Sequence, residues 1–117
     1  PRRKAGQIGN ETMKTETTRS FEARGFTFTM TVEERTGMHP MYKFHGIQEL
    51  SVGLFARIYI RNATPHLPLD NCMGFAIWME TADGQSVGIE VGNPTTWRGI
   101  KGCFTKAHRE YLESVQA

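Results

Sequence analysis

Residues 50–61 read LSVGLFARIYIR, and their side chains alternate in character from one end to the other. One series is apolar and comprises Leu50, Val52, Leu54, Ala56, Ile58 and Ile60. The other series comprises Ser51, Gly53, Phe55, Arg57, Tyr59 and Arg61. A period of two is typical of a strand with one face on the core. We therefore predict one long strand over 50–61, at the centre of a sheet.

The segments before this strand show the same pattern more briefly. Phe26, Phe28, Met30 and Val32 alternate with threonines, which predicts a strand with one buried face. Residues 42–47 follow a turn-rich patch and predict a short strand, with Gly46 as a candidate bulge.

The segments after it complete a meander. Residues 62–71 contain two prolines and predict a loop, and the next strand places Met73, Phe75, Ile77 and Met79 inward with Trp78 outward. Ala82, Asp83 and Gly84 predict a hairpin turn. The turn leads into a last strand, carried by Val87, Ile89 and Val91.

A helix is predicted from Pro94 to near Val115, because Asn93 is a preferred N-cap and proline suits the first helical position. Its apolar stripe recurs at spacings of three and four: Trp97, Ile100, Phe104, Ala107, Tyr111 and Val115. Gly99 and Gly102 weaken such a helix by about 1 kcal/mol each. Packing against the sheet or a partner must compensate for this loss. We therefore expect Trp97, Phe104 and Tyr111 to form an oligomer interface.

These elements predict an α+β fold, in which an antiparallel β-meander of about five strands precedes one C-terminal α-helix. Residues 1–20 hold few large apolar side chains, so we interpret them as a basic flexible arm and residues 21–117 as a single domain. The arm holds five basic and two acidic residues although the whole chain carries only +2. A polyanionic partner is therefore expected to contact Arg2, Arg3 and Lys4.

Signals for catalysis are absent from the sequence. The four histidines show neither the helical pair spacing nor the cysteine companions of a zinc site, and no phosphate loop or nucleophile elbow occurs. The chain is therefore predicted not to be an enzyme and to need no metal or cofactor. Cys72 and Cys103 are expected to stay reduced, and the apolar stretches are too short for a bilayer, so a cytoplasmic protein is expected.

The outward series of the long strand alternates aromatic and cationic side chains, which is the mixture that single-stranded nucleic acid requires. Bases stack on aromatic rings while arginine and lysine neutralise phosphates. The predicted binding residues on the sheet are Phe55, Arg57, Tyr59, Arg61, Trp78 and Lys43. The alternative interpretation places Phe55 and Tyr59 under the helix or in a dimer interface, with the arginines at its rim.

Residues 75–100 contain Trp78, a hairpin at Asp83 and Gly84, and the run Asn93, Pro94 and Trp97. In these features the segment resembles the positive coactivator four family of single-stranded DNA-binding coactivators. It implies a strand meander followed by one helix, and dimerisation through that helix. It also implies that Trp78 stacks bases and that Trp97 packs in the core. The basic loop of that family has no counterpart at 85–87.

The sequence therefore predicts a non-catalytic protein that binds single-stranded DNA or RNA as a homodimer or larger homo-oligomer. One alternative is a self-assembling viral coat-like protein that holds RNA on its sheet, located in the host cytoplasm or the virion. A further alternative is a small phage or plasmid inhibitor whose exposed aromatic residues dock on a host factor. The order of elements alone does not separate these functions.

Overall fold

The computed structural model describes residues 13–67, 72–87, 94 and 96–116, with the backbone alone for 13–17 and 35. Within that part of the chain, six strands form one antiparallel sheet in sequence order and a single helix follows. The elements are β1 (Met13–Ala23), β2 (Phe26–Arg35), β3 (Met41–Ser51), β4 (Leu54–Asn62), β5 (Gly74–Thr81), β6 (Ser86–Val87) and α1 (Trp97–Gln116). The predicted meander with a C-terminal helix is confirmed.

The core lies between α1 and one face of the sheet, which we name the covered face. Strand β4 alternates strictly, with every second residue from Leu54 to Asn62 buried. Apolar side chains of β2, β3 and β5 join this row, and Ile100, Phe104 and Ala107 of α1 close over it. Burial of apolar area on this face is the main stabilising contribution to the fold.

The prediction of one strand over 50–61 is wrong in its length. Gly53 adopts a left-handed φ of 79° and forms a turn with Val52, which is 99% exposed, so the segment divides between β3 and β4. Alternation of apolar and polar residues indicates which face of a sheet each side chain occupies, but it does not reveal a tight turn between two strands. The inward assignment of Leu54, Ile58 and Ile60 is confirmed.

Gly46 lies in a regular part of β3, not in a bulge, and β3 is longer than the short strand predicted over 42–47. It pairs in register with Phe28 on β2 and Ile58 on β4. A Cβ at this position would lie 2.5 Å from Ile58 Cγ2 and 2.6 Å from Phe28 Cε1. Close packing of these two side chains therefore requires glycine here. The register shift in this strand falls between Glu49 and Ser51 instead.

The boundary of the predicted arm at Ser20 is also wrong, because β1 begins at Met13 and pairs with β2. An edge strand needs few apolar residues of its own, since backbone hydrogen bonds to its neighbour hold it. Phe21 anchors β1 by stacking 5.7 Å from the ring of Phe28. Residues 1–12, with the predicted contacts Arg2, Arg3 and Lys4, lie outside the described residues.

Helix α1 begins later than predicted. Its N-cap is Thr96, whose Oγ1 accepts a hydrogen bond from Gly99 N at 3.0 Å and whose carbonyl accepts one from Ile100 N. Pro94 precedes the helix, and Asn93 lies outside the described residues. No helix in the described part of the chain is long and apolar enough to cross a membrane.

The segment around β5 corrects one further detail. Met73 is 57% exposed and precedes the strand, whereas Ile77 and Met79 are buried as predicted. Ile89 and Val91 fall outside the described residues, so their predicted strand is represented by Ser86–Val87 alone. Cys72 and Cys103 are both free thiols.

Candidate nucleic-acid interface

The face of the sheet opposite α1 carries the predicted binding residues, and we name it the open face. In β3, β4 and β5 it comprises Lys43, His45, Ile47, Glu49, Phe55, Arg57, Tyr59, Arg61, Ala76, Trp78 and Glu80. These side chains alternate with the buried ones along each strand, as the pleat requires. The six sheet residues predicted from sequence therefore lie on one face of three adjacent strands.

Trp78, Arg57 and Glu80 form a connected group near the centre of the open face. Arg57 lies directly opposite Trp78 across the β4–β5 ladder, with its guanidinium carbon 5.7 Å from the indole centroid. The carboxylate of Glu80 accepts a hydrogen bond from Arg57 Nη1 and another from Trp78 Nε1, each at 3.0 Å. Glu80 therefore holds both side chains in place and neutralises the arginine.

Tyr59 and His45 form a second group beside the first. They are cross-strand neighbours on β4 and β3, with ring centroids 4.8 Å apart. Burial lowers the pKa of His45, and the positive charges of Arg57 and Lys43 lower it further. A neutral imidazole therefore extends the aromatic surface that Tyr59 presents near neutral pH.

Arg61 differs from the other two cations of this face. Lys43 forms an ion pair with Glu33 at 3.2 Å, and Arg57 forms one with Glu80. Arg61 has no ion pair among the described residues, and its Nε is buried without a hydrogen-bond partner. Its side chain passes over Gly74, where an added Cβ would lie 3.4 Å from Arg61 Cδ. Arg61 is therefore the cation best placed to contact an added phosphate.

The acidic residues of the open face were not predicted from the sequence. Glu22, Glu33, Glu49 and Glu80 occupy the open face together with its cations. Period two places Glu80 on the same face as Trp78, which is a signal that the sequence does contain. Its pairing with Arg57 depends on the β4–β5 register, which the sequence did not specify.

The three residues predicted for the oligomer interface have different environments. Phe104 is 3% exposed and packs 5.8 Å from the ring of Phe26, inside the chain's own core. Trp97 and Tyr111 are half-buried and pack beside that core, with Trp97 edge-on to Phe28 at 6.2 Å. Trp97 and Tyr111 therefore keep accessible surface, whereas Phe104 is committed to the sheet.

Comparison with protein-family models, curated proteins and solved structures finds no match to this chain. The resemblance at residues 75–100 therefore stays a prediction. No group of histidine, cysteine and acidic side chains in the described part of the chain is arranged to hold a metal ion.

Proposed function

We propose that this protein binds single-stranded DNA or RNA on its open face, without catalysis, and acts as a homodimer. The observation that carries the proposal is that Trp78, Tyr59 and Arg61 occupy three successive rows of the open face on β4 and β5, with Tyr59 between the other two. Aromatic rings on a sheet stack bases at about 1–3 kcal/mol each, and an unpaired arginine beside them contacts the phosphate.

Stacking is expected to dominate over electrostatic attraction. Two of the three cations in the central strands already have carboxylate partners, Lys43 with Glu33 and Arg57 with Glu80. Each phosphate contact contributes about 0.7 to the slope of log affinity against log salt for a single strand. Affinity for an oligonucleotide should therefore depend weakly on salt, and Arg61→Ala should flatten that dependence more than Arg57→Ala does.

A matched pair of substitutions at Trp78 tests the proposal. Trp78→Phe keeps an aromatic ring and Trp78→Leu removes it, while both give up the hydrogen bond to Glu80. Fluorescence anisotropy of a labelled oligothymidylate should show weaker binding for Trp78→Leu than for Trp78→Phe at every salt concentration. Equal affinity of the two variants and the parent protein, with unchanged circular dichroism, would refute stacking at Trp78.

Size-exclusion chromatography with absorbance at two wavelengths separates the other functions. A large particle that carries nucleic acid would favour the coat-like alternative, and a clean dimer with no affinity for oligonucleotides would favour the inhibitor. The dimer itself is tested at Tyr111, because Phe104 is occupied in the core. Tyr111→Glu should shift the protein to monomers without loss of helical signal.

A further inference from the structure

A groove on the other side of the molecule has a charge pattern that the open face lacks. It encloses about 660 Å³ between α1, the β1–β2 turn and the end of β3. Arg24, Trp97, Arg98, Lys101 and His108 line it. We name it the helix groove. Its volume falls in the range of small-molecule sites, about 300–1,000 Å³.

The helix groove concentrates unpaired positive charge. No carboxylate is among its lining residues, and Arg24, Arg98 and Lys101 have no ion pair within the described residues. Positions 97, 101 and 108 follow one stripe of α1, and Arg98 lies beside it. His108 closes the far end, where its Nε2 lies 3.2 Å from Ser51 Oγ. A bound anion would therefore relieve the mutual repulsion of these like charges.

The cations also stand at the unfavourable end of the helix. Arg98 and Lys101 lie in the first turns of α1, and no acidic residue occurs in its first turn. The helix dipole is positive at this end, so basic side chains there destabilise a helix and bound anions stabilise it. Two features of different origin, the side-chain charges and the backbone dipole, therefore attract the same kind of ligand.

Arg24 adds a third feature. It occupies the left-handed region with φ 57°, in a two-residue turn with Gly25 at φ 84°. Asparagine and glycine are the usual residues at such a position. The guanidinium of Arg24 lies 5.7 Å from the ring centroid of Trp97, at the mouth of the helix groove. The turn therefore holds a strained arginine where a less strained residue would build the same hairpin.

We infer that the helix groove binds the phosphate groups of a nucleotide. The cations would contact the phosphates, and the apolar floor, formed in part by Phe26, Leu50 and Phe104, would contact the nucleoside. This site is separate from the proposed function, because the groove residues of the sheet belong to the covered face. The same phosphate chemistry is offered by a free nucleotide and by a nucleotide within a strand.

Calorimetric titration with sodium pyrophosphate and with ATP tests the inference. Arg98→Ala combined with Lys101→Ala should weaken both ligands by about tenfold or more, because hydrogen bonds to charged groups contribute that much. The matched control is Lys106→Ala combined with Arg109→Ala, which removes the same charge from exposed positions of α1 outside the groove. Asparagine suits the left-handed position in the turn, so the Arg24→Asn variant should bind both ligands more weakly but keep the melting temperature of the parent protein.

Two results would overturn the inference: no binding of either ligand at millimolar concentration, or equal weakening in the control pair. Competition identifies the source of the phosphate. If an oligothymidylate fails to displace ATP, the ligand of the helix groove is a free nucleotide. If each ligand displaces the other, a nucleic-acid strand reaches the groove. Trp78→Leu should leave pyrophosphate binding unchanged, so failure of the open-face proposal and failure of this one remain distinguishable.

Discussion

At the scale of single residues, glycine has opposite meanings at two positions of this chain. Gly46 is buried beneath Phe28 and Ile58, whereas an added Cβ at Gly102 of α1 would meet nothing within 4 Å. The first glycine is required by packing between strands. The second only weakens its helix, because glycine loses more backbone entropy on folding than alanine does.

Gly46→Ala and Gly102→Ala are therefore expected to change stability in opposite directions. The first should lower the free energy of unfolding by about 1–3 kcal/mol through overpacking, and the second should raise it by up to about 1 kcal/mol. Urea unfolding followed by circular dichroism measures both. A neutral Gly46→Ala would show that Phe28 and Ile58 can move apart freely.

His45 predicts a dependence of stability on pH. Its pKa is lowered from the ordinary value of 6.5 by burial and then by Arg57 and Lys43. The unfolded chain binds this proton more tightly than the folded chain does. The contribution of neutral His45 to stability is therefore complete above the pKa of the unfolded state, and it is lost as pH falls through the lowered pKa of the folded state. The free energy of unfolding should therefore decrease as the pH falls from neutral through the ordinary value of 6.5.

His45→Gln is the variant that isolates this effect, because glutamine does not titrate. Its unfolding free energy should change less over the same interval than that of the parent protein. The hydroxyl of Thr81 lowers the pKa of Asp83, so that carboxyl titrates only at more acidic pH and leaves the comparison undisturbed. Identical pH profiles for the two proteins would contradict the prediction.

At the scale of elements, the start of α1 depends on one hydroxyl group. Thr96 Oγ1 accepts the hydrogen bond of Gly99 N, and the helix then proceeds with a glycine in its first turn. Thr96→Ala should lower the free energy of unfolding by about 1 kcal/mol, and Thr96→Ser should retain most of the stabilisation that the cap provides. Thermal melts of the two variants measure the difference. Equal melting temperatures would show that another group caps the helix.

At the scale of the whole molecule, the two sides of the sheet differ in how their charges are used. On the open face, carboxylates neutralise Lys43 and Arg57, which leaves an aromatic surface where Arg61 has no ion pair among the described residues. In the helix groove no carboxylate is among the described residues that line the cavity. Uncharged stacking is therefore expected on one side and phosphate binding on the other. The modest net charge of +2 conceals this division.

The sequence by itself determined the antiparallel meander, the C-terminal helix and the face that each residue of β4 occupies. Those features are local, because a period of two or of three to four residues directly encodes a strand or a helix with one buried side. The sequence also predicted that one face of the sheet carries Phe55, Arg57, Tyr59, Arg61 and Trp78, since outward positions of neighbouring strands share a face.

Only the tertiary structure decided the break at Gly53, the pairing of β1 and the partners of the charged residues. These depend on register and on contacts between residues far apart in the chain, such as Arg57 with Glu80. The helix groove is the extreme case, because Arg24 and Lys101 come from opposite ends of the described chain. No local pattern connects them, and only packing of α1 against the sheet brings their charges to one cavity.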